Sequence, residues 1–304
     1  MKITLRQLRY LDALATEGHF GRAAERVSVS QPALSAQIRE LEEALGCPLV
    51  ERAAAGARLT PAGEAIVERG RRILAEVGDL EAYARAAADP ATGALKLGII
   101  PSIGPYLLPK LLPAIADAFP ALRVGVRETV TATLVGELQG GGLDLVIASL
   151  PLGDPSFLEV PAFADAFLLA TPATGPLSLG AFDSAADIPT EALLLLEDGH
   201  CLRDQTLASC GALDARRLTR AGVTSLATIL QLVAAGQGIT LLPELFLAAT
   251  PLDAGRVRLR RLSRPEPHRT IGLAWRRTSP LAPLCERIAG LMPGLKPAAA
   301  RLPT

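Results

Sequence analysis

Residues 197–211, with the sequence EDGHCLRDQTLASCG, combine side chains that are suited to thiol chemistry. They hold two of the four cysteines of the chain, Cys201 and Cys210, and one of its three histidines, His200. A thiol becomes a nucleophile when its thiolate form is favoured, and a histidine, an arginine or a helix N-terminus can favour it. Because His200 precedes Cys201 and Arg203 follows it, Cys201 is the candidate nucleophile.

The spacing of the two cysteines has a mechanical consequence. Gly199 predicts a break, residues 202–209 contain no Gly or Pro, and Gly211 predicts a stop, so a helix should link Cys201 to Cys210. Nine residue steps of ~1.5 Å then separate the two Cα atoms by roughly 13 Å, whereas a disulfide requires about 4.4–6.8 Å. A reduced helix and an oxidised loop would therefore be two discrete states, as a redox switch requires. The alternative is that both cysteines are small buried hydrophobic residues.

Length and composition limit the class of protein. A chain of 304 residues predicts two or three domains, and 49% hydrophobic residues suffice for their cores. The net charge is zero, so any contact with nucleic acid must come from a local patch. We find no signal peptide and no apolar run of ~18 residues, so we expect a cytoplasmic protein without a membrane segment, whose thiols are normally reduced.

The first 60 residues follow the pattern of a helix-turn-helix unit. Apolar residues at helical spacing predict a helix from Leu5 that ends at Gly18, and a second helix over residues 20–27. Ser30 is suited to cap a third helix, and Pro32 suits its first turn. The third helix has one apolar face, formed by Leu34, Ile38, Leu41 and Leu45. Two short strands, residues 49–52 and 58–60, then flank a tip of small residues and predict a wing.

Polar residues on the third helix and on the wing are able to contact bases and phosphates. The candidate DNA-binding residues are Ser30, Gln31, Pro32, Ser35, Gln37, Arg39, Arg52 and Arg58. Residues 1–60 carry eight basic and seven acidic side chains, so charge alone does not argue for DNA. The alternative is a three-helix packing unit with a solvated face.

Residues 61–88 predict one long helix. Its apolar residues repeat at the 4-3-4-3 spacing of a coiled-coil seam, and they are Ile73, Val77, Leu80, Ala84 and Ala87. Because a lone helix would expose this stripe, we predict a homodimer contact, which would also pair two DNA-reading units. Residues 89–93 predict a linker.

From residue 94 onwards, strands and helices alternate, which predicts parallel α/β units. The predicted strands are residues 95–100, 122–128, 143–149, 167–171, 192–196, 238–242, 257–262 and 270–275. The predicted helices are residues 105–119, 132–139, 225–235 and 281–292, with a further helix after residue 242. Ser102 follows the first of these strands and Thr131 follows the second, at the carboxyl ends where α/β folds place ligands.

The chain resembles a known family at specific residues. Residues 5–65 look like the DNA-binding domain of LysR-type transcriptional regulators, through FGRAA at 20–24, SQPALSAQI at 30–38, the wing residue Arg52 and LTPAG at 59–63. Over essentially its full length the chain resembles the OxyR subfamily of hydrogen-peroxide sensors within that family. The supporting stretches are IPSIGPYLLP at 100–109, GHCLRDQ at 199–205 and VAAGQGITLLP at 233–243.

This resemblance implies a fold. It implies an all-α winged helix-turn-helix domain at residues 1–60 and a dimerisation helix with a hinge at residues 61–92. An α/β sensor domain would occupy residues 93–304, built like a periplasmic binding protein from two Rossmann-like lobes. We place lobe I at about residues 93–164 and 269–304 and lobe II at about residues 165–268.

The resemblance also implies a function. It implies a homotetrameric activator, not an enzyme, that binds double-stranded promoter DNA and acts with RNA polymerase on oxidative-stress defence genes. Cys201 would be the peroxidatic cysteine and Cys210 the resolving one, and thiol reductants of the glutaredoxin or thioredoxin type would reset them. The residues implied at the site are Ser102, Thr131, His200, Cys201, Arg203 and Asp204. Ser102 stands where this subfamily usually has threonine, so the hydroxyl is kept and the methyl group is lost.

Three alternatives differ in class. A LysR-type regulator could instead respond to a metabolite held between the lobes by Ser102, Thr131 and residues 224–225. A thiol peroxidase would not need the DNA-binding domain. A zinc site lacks the usual paired spacing of ligands, so we expect no metal and no cofactor. Cys47 and Cys285 have no such neighbours, and we expect both to be inert packing residues.

Overall fold

The chain folds into two units. The computed structural model describes residues 3–53, 56–86, 92–178, 180, 182–211, 222–262 and 266–296. One unit is centred on residues 1–85, and the other on residues 86–138 and 143–304. Within the described ranges, no helix combines the length and the hydrophobicity that crossing a membrane requires.

Three helices form the N-terminal domain as predicted. They are α1 (Leu5–Glu17), α2 (Phe20–Arg26) and α3 (Gln31–Leu45). Gly18 ends α1 in the left-handed conformation with φ of 60°, which a residue without Cβ adopts at little cost. The Ser30 hydroxyl accepts the Ala33 N–H at 3.4 Å and caps α3. Of the predicted apolar face of α3, Leu34, Ile38 and Leu41 are buried in the core of this domain, and Leu45 is half-buried against it.

The wing follows directly. Strands β1 (Val50–Ala53) and β2 (Gly56–Leu59) pair antiparallel, with Glu51 opposite Arg58. The predicted tip falls partly on residues 54–55, which lie outside the described residues. The Glu42 carboxylate of α3 accepts the N–H groups of Leu49 at 2.7 Å and Val50 at 3.1 Å, which fixes the start of the wing to the third helix.

Helix α4 (Pro61–Ala86) is the predicted long helix. Gly63 packs so closely on the Leu49 backbone that a Cβ would lie 2.1 Å from its carbonyl oxygen. Arg71 pairs with Asp12 of α1 at 2.6 Å, so helix and domain are tied together. In the predicted seam, Ile73 and Leu80 are exposed and Val77 is half-buried. The side chain of Ala84 and the whole of Ala87 lie outside what the structure describes.

The first lobe of the second unit holds a parallel sheet. Its strands are β3 (Gly93–Ile99), β4 (Leu122–Glu128) and β5 (Leu145–Leu150), with β3 between the other two. Helices α5 (Gly104–Ala118) and α6 (Thr131–Gln139) connect them. The alternation of strand and helix therefore gives parallel α/β structure here, as predicted.

Two long antiparallel strands join the lobes. Strand β6 (Phe157–Pro172) pairs through its first half with β9 (His268–Arg276), and β9 pairs with β5. The sequence predicted only residues 167–171 of β6, because Pro161 and Asp165 interrupt the apolar pattern and the register shifts after Pro161. One described sheet therefore runs in the order β4-β3-β5-β9-β6-β7.

The second lobe is built on the other half of β6. That half pairs antiparallel with β7 (Thr240–Pro243) and β8 (Val257–Arg261), so the predicted parallel order does not extend to these pairs. The strand predicted at residues 192–196 forms only a bridge between Leu193 and Ile239, although residues 193–196 are buried. The helices of this part of the chain are α7 (Cys201–Ser209), α8 (Leu226–Ala234), α9 (Glu244–Ala249) and, packed on lobe I, α10 (Ala282–Leu291).

Candidate functional site

Helix α7 separates the two candidate cysteines as the spacing predicted. Cys201 is its first residue and Cys210 is its C-cap, whose N–H donates to the Thr206 carbonyl at 3.1 Å. At ~1.5 Å per residue the Cα atoms lie roughly 13 Å apart. The described cysteines are all free thiols.

The two sulfurs pack against different hydrophobic cores. Cys201 is half-buried and contacts the core of lobe I. Cys210 is buried within the core of lobe II. A bond between them therefore requires more than a rotamer change, because the segment must unwind and at least one sulfur must leave its core.

Burial also controls the protonation of Cys210. It raises the pKa of this thiol from 9.0 to about 11, because a thiolate loses its hydration in an apolar surrounding. At neutral pH the Cys210 thiol is therefore protonated and a poor nucleophile until its segment opens.

This protonation can be tested by alkylation. We expect the rate at which iodoacetamide labels Cys210, measured by peptide mass, to rise about tenfold per pH unit from pH 7 to 9.5, since only the thiolate reacts. In urea-denatured protein, the control, the rate should level off near pH 9. A native rate that also levels off there would contradict a raised pKa.

His200 and Arg203 occupy different surroundings. His200 is buried at the N-cap position of α7 without a side-chain capping bond, and it lines a cavity. The Arg203 guanidinium donates to the Leu196 carbonyl at 3.1 Å and pairs with Asp198 at 2.9 Å. Residues two apart on a helix do not share a face, so Arg203 anchors the loop before α7 and does not lie beside Cys201.

A buried arginine that the sequence analysis did not single out, Arg269, binds the site residue Ser102. Arg269 on β9 pairs through Nε with Asp165 on β6 at 2.9 Å, and both side chains are fully buried. Its Nη1 donates to the Ser102 hydroxyl at 2.7 Å and its Nη2 to the Ser102 carbonyl at 3.0 Å. Asp165 also accepts the Leu245 N–H at 2.8 Å. A lone arginine at the start of a strand gave no motif by which to find it.

The other predicted site residues lie at helix starts. Thr131 is the first residue of α6, and its hydroxyl is buried without a hydrogen-bond partner among the residues that the structure describes. Asp204 lies in the first turn of α7 with its side chain exposed. Ser102 precedes α5 and is buried. The unpartnered hydroxyl of Thr131 is free to bind a small polar ligand.

A cavity of about 300 Å³ lies between the lobes next to His200. Its lining residues come from both lobes and are Pro101, Ser102, Pro105, Tyr106, Glu128, Leu196, His200, Thr224, Ser225 and Leu226. Burial, and next the nearby Glu128, raise the pKa of the Tyr106 hydroxyl. Residues 224–225 thus lie where the metabolite alternative requires them.

The remaining cysteines and possible metal ligands form no second site. Cys285 is fully buried in lobe I, where burial raises its pKa to about 12, and Cys47 is half-buried against the N-terminal core. Among the described residues, His, Cys, Asp and Glu side chains form no group of three that could hold a metal ion.

The candidate DNA-binding residues lie at the N-cap of α3, along the first nine residues of that helix and on the wing. Gln31, Pro32, Arg39 and Arg58 are exposed, and Ser35 and Gln37 are half-buried. Gln37 donates to Glu40 at 2.7 Å. Arg52 lies on β1, but its side chain is outside the described part of the structure.

Comparisons with known proteins cover nearly the whole chain. Residues 5–64 match the bacterial regulatory helix-turn-helix protein, lysR family, and residues 88–292 match the LysR substrate binding domain. The chain is 42% identical over 287 residues to the DNA-binding transcriptional dual regulator OxyR of Escherichia coli K12, covering 94% of each protein. It is 41% identical over 300 residues to a probable hydrogen peroxide-inducible genes activator of Streptomyces viridosporus, covering 95% of this chain and 93% of that protein.

Solved structures of OxyR proteins are also similar to this chain. A full-length OxyR variant from Pseudomonas aeruginosa is 36% identical with a TM-score of 0.71, covering 98% of this chain and 99% of that one. An H2O2-bound OxyR mutant from Corynebacterium glutamicum is 32% identical with a TM-score of 0.61, covering 97% and 94%. The chain therefore belongs to the LysR family of bacterial transcriptional regulators and, within that family, to the OxyR group.

Proposed function

We propose that the chain is a DNA-binding transcriptional regulator that hydrogen peroxide switches by forming a disulfide between Cys201 and Cys210. The observation that carries the proposal is helix α7, which holds one thiol at each end and packs the two against different cores. Two inert cysteines would not require this arrangement, whereas a two-state switch does.

The chemistry proceeds in two balanced steps. The Cys201 thiolate attacks one peroxide oxygen, the O–O bond breaks, and the departing hydroxide takes a proton to become water, which leaves a sulfenic acid. The Cys210 thiolate, released from its core, then attacks that sulfur, the S–S bond forms and the S–O bond breaks to give a second water. Two thiols lose two electrons in total, and thiol reductants of the glutaredoxin or thioredoxin type return them.

Residues around Cys201 have separate roles in this proposal. The hydroxyls of Ser102 and Thr131 and the imidazole of His200 bind the peroxide beside Cys201. Asp204 in the first turn of α7 interacts favourably with the helix N-terminus, and Arg203 holds the preceding loop. Because Ser102 lacks the methyl group of threonine, the pocket is looser and the reaction with peroxide slower than with threonine at this position.

The proposed regulator acts as an assembly of several copies of the chain. The exposed Ile73 and Leu80 of α4 form a homodimer seam, and dimers pair into a tetramer through the sensor domains. Unwinding α7 changes the surface of lobe II and thereby the way in which dimers pair. The new pairing changes the spacing of the DNA-binding domains on the promoter, and RNA polymerase is recruited there to transcribe defence genes. In this proposal the domains are residues 1–60, 61–92 and 93–304, with lobe I at about 93–164 and 269–304 and lobe II at about 165–268. The protein acts in the cytoplasm and is not an enzyme.

Disulfide mapping tests the proposed function directly. Reduced protein is treated with one equivalent of hydrogen peroxide and digested, and the peptides are analysed by mass. We expect one linkage, between the peptides that contain Cys201 and Cys210. Absence of this linkage at every dose below overoxidation would contradict the proposal.

The DNA-binding surface gives a second test. An Arg39→Ala variant should bind all duplexes more weakly and reduce the salt dependence by about one charge, whereas Gln31→Ala should cost about 1–3 kcal/mol on selected sites only. Binding is measured by fluorescence anisotropy on duplexes selected from a random library. Arg72→Ala, which removes an exposed charge on α4, is the control, and equal affinities for all four proteins would contradict this interface.

In a second candidate function, the chain is still a transcriptional regulator but responds to a small metabolite in place of hydrogen peroxide. The cavity of about 300 Å³ is far larger than peroxide needs and is lined by polar groups of both lobes, which favours a small metabolite. A Cys201→Ser variant separates the two functions, because a metabolite sensor would keep its response.

A further inference from the structure

A hydrogen bond between Gln205 and Ser149 joins helix α7 to the sheet of lobe I. Gln205 lies four residues after Cys201, so both side chains project from the same helix face. The amide Nε2 donates to the Ser149 hydroxyl at 2.5 Å. Ser149 lies on β5 and is only 5% exposed. Across the described residues, this is the one side-chain hydrogen bond from α7 to lobe I.

Among the described residues, the Gln205 amide has no second hydrogen-bond partner. Its Oε1 is buried and accepts no hydrogen bond within the described structure. The attachment of this helix face to lobe I thus depends on the Nε2 bond and on the packing of Cys201 against the lobe I core. Unwinding the helix would expose the Gln205 Oε1 atom to water. This hydration offsets part of the free energy lost with the Nε2 bond, so the state in which α7 is helical and attached to lobe I is only modestly favoured.

Disulfide formation must break this bond. Gln205 lies in the middle of the segment whose ends have to approach from roughly 13 Å to about 6 Å between Cα atoms. When residues 201–210 leave the helix, the amide leaves Ser149, and the buried Ser149 hydroxyl loses its partner. A buried group that loses its partner shifts such an equilibrium by about 5- to 100-fold.

We propose that Gln205 is a positioning residue that, through Ser149, holds α7 closed and thereby sets the rate at which Cys210 reaches the oxidised Cys201. This inference rests on the proposed function for its redox consequence. The tether itself is a property of the reduced protein and can be measured without peroxide.

Amide hydrogen exchange of the reduced, full-length protein tests the tether. In Ser149→Ala the Gln205 donor stays buried without a partner, so the α7 amides should exchange about 5- to 100-fold faster, while those of α8 stay unchanged. In the double variant Ser149→Ala/Gln205→Met both groups are apolar, so exchange should return towards the parent rate. Ser209→Ala is the matched control, because the described hydrogen bond of the Ser209 hydroxyl stays within α7, where it donates to the Gln205 carbonyl at 2.7 Å. In this variant the exchange rate of the α7 amides should stay within about threefold of the parent rate.

Stopped-flow kinetics then test the consequence. The peroxide-independent step in which the sulfenic acid becomes a disulfide should be about 5- to 100-fold faster in Ser149→Ala, and the double variant should lie nearer to the parent. The tether would be overturned if the exchange and condensation rates of Ser149→Ala both lay within twofold of the parent rates. It would also be overturned if the effects of the two single substitutions on these rates simply added in the double variant. If the parent forms no disulfide, the proposed function fails, and the exchange rates still decide the tether. Gln205→Met replaces Ser149→Ala if the latter does not fold.

Discussion

A Cys201→Ser variant should lose the response to hydrogen peroxide completely, because neither of the other two cysteines of the sensor domain, Cys210 and Cys285, can take its place. Burial gives Cys210 a pKa of about 11, so at pH 7.5 roughly one Cys210 in a few thousand is a thiolate. Cys285 is fully buried and has a still higher pKa. We expect no disulfide, no sulfenic acid at Cys210 or Cys285, and identical DNA footprints with and without peroxide.

The Cys210→Ser variant is the matched control for this prediction. It also forms no intramolecular disulfide, but Cys201 still reacts, so one equivalent of sulfenic acid should accumulate and be trapped by dimedone. The two variants share the missing bond and differ in the chemistry of the first step. Dimedone labelling of Cys210 in the Cys201→Ser protein, at a rate near that of the parent Cys201, would show that the nucleophile has been assigned to the wrong end of α7.

An Arg269→Met variant should lose about 3–5 kcal/mol of unfolding free energy at pH 8, the range found when one partner of a buried ion pair is removed. The reason is that Asp165 stays buried and charged, and the Ser102 hydroxyl loses its donor. Urea unfolding monitored by circular dichroism measures the loss. Arg277→Met removes an exposed arginine on the adjoining turn and should change the value by less than about 0.5 kcal/mol.

The loss should depend on pH in a definite direction. Burial raises the pKa of Asp165 above 3.8, and Arg269 is the largest influence that lowers it. Removing Arg269 raises that pKa further, so the folded protein binds the proton more tightly than the unfolded chain. Stability then falls as pH rises from the unfolded value through the folded one. The deficit should therefore shrink between pH 8 and pH 5, and it should vary less with pH when Asp165→Asn is added. A deficit that is equal at both pH values would contradict this account.

The sequence determined the elements that depend on local patterns. Ser30 and Gly18 gave the boundaries of their helices, because a side-chain cap and a left-handed stop are local interactions. Gly199, Gly211 and the absence of Gly and Pro between Cys201 and Cys210 predicted α7, and the helical rise then fixed the separation of its two cysteines. These features were all predicted within a residue or two.

The tertiary structure decided which residues meet across the chain. Arg269 contacts Ser102 and Asp165, which lie more than 100 positions away in the sequence. Ser149 reaches Gln205 only because β5 places it beside α7. No local pattern encodes such pairs, since they depend on how β6 and β9 cross between the lobes. The burial that raises the pKa of Cys210 has the same origin, because a thiol is hidden from water only by the side chains that the fold brings around it.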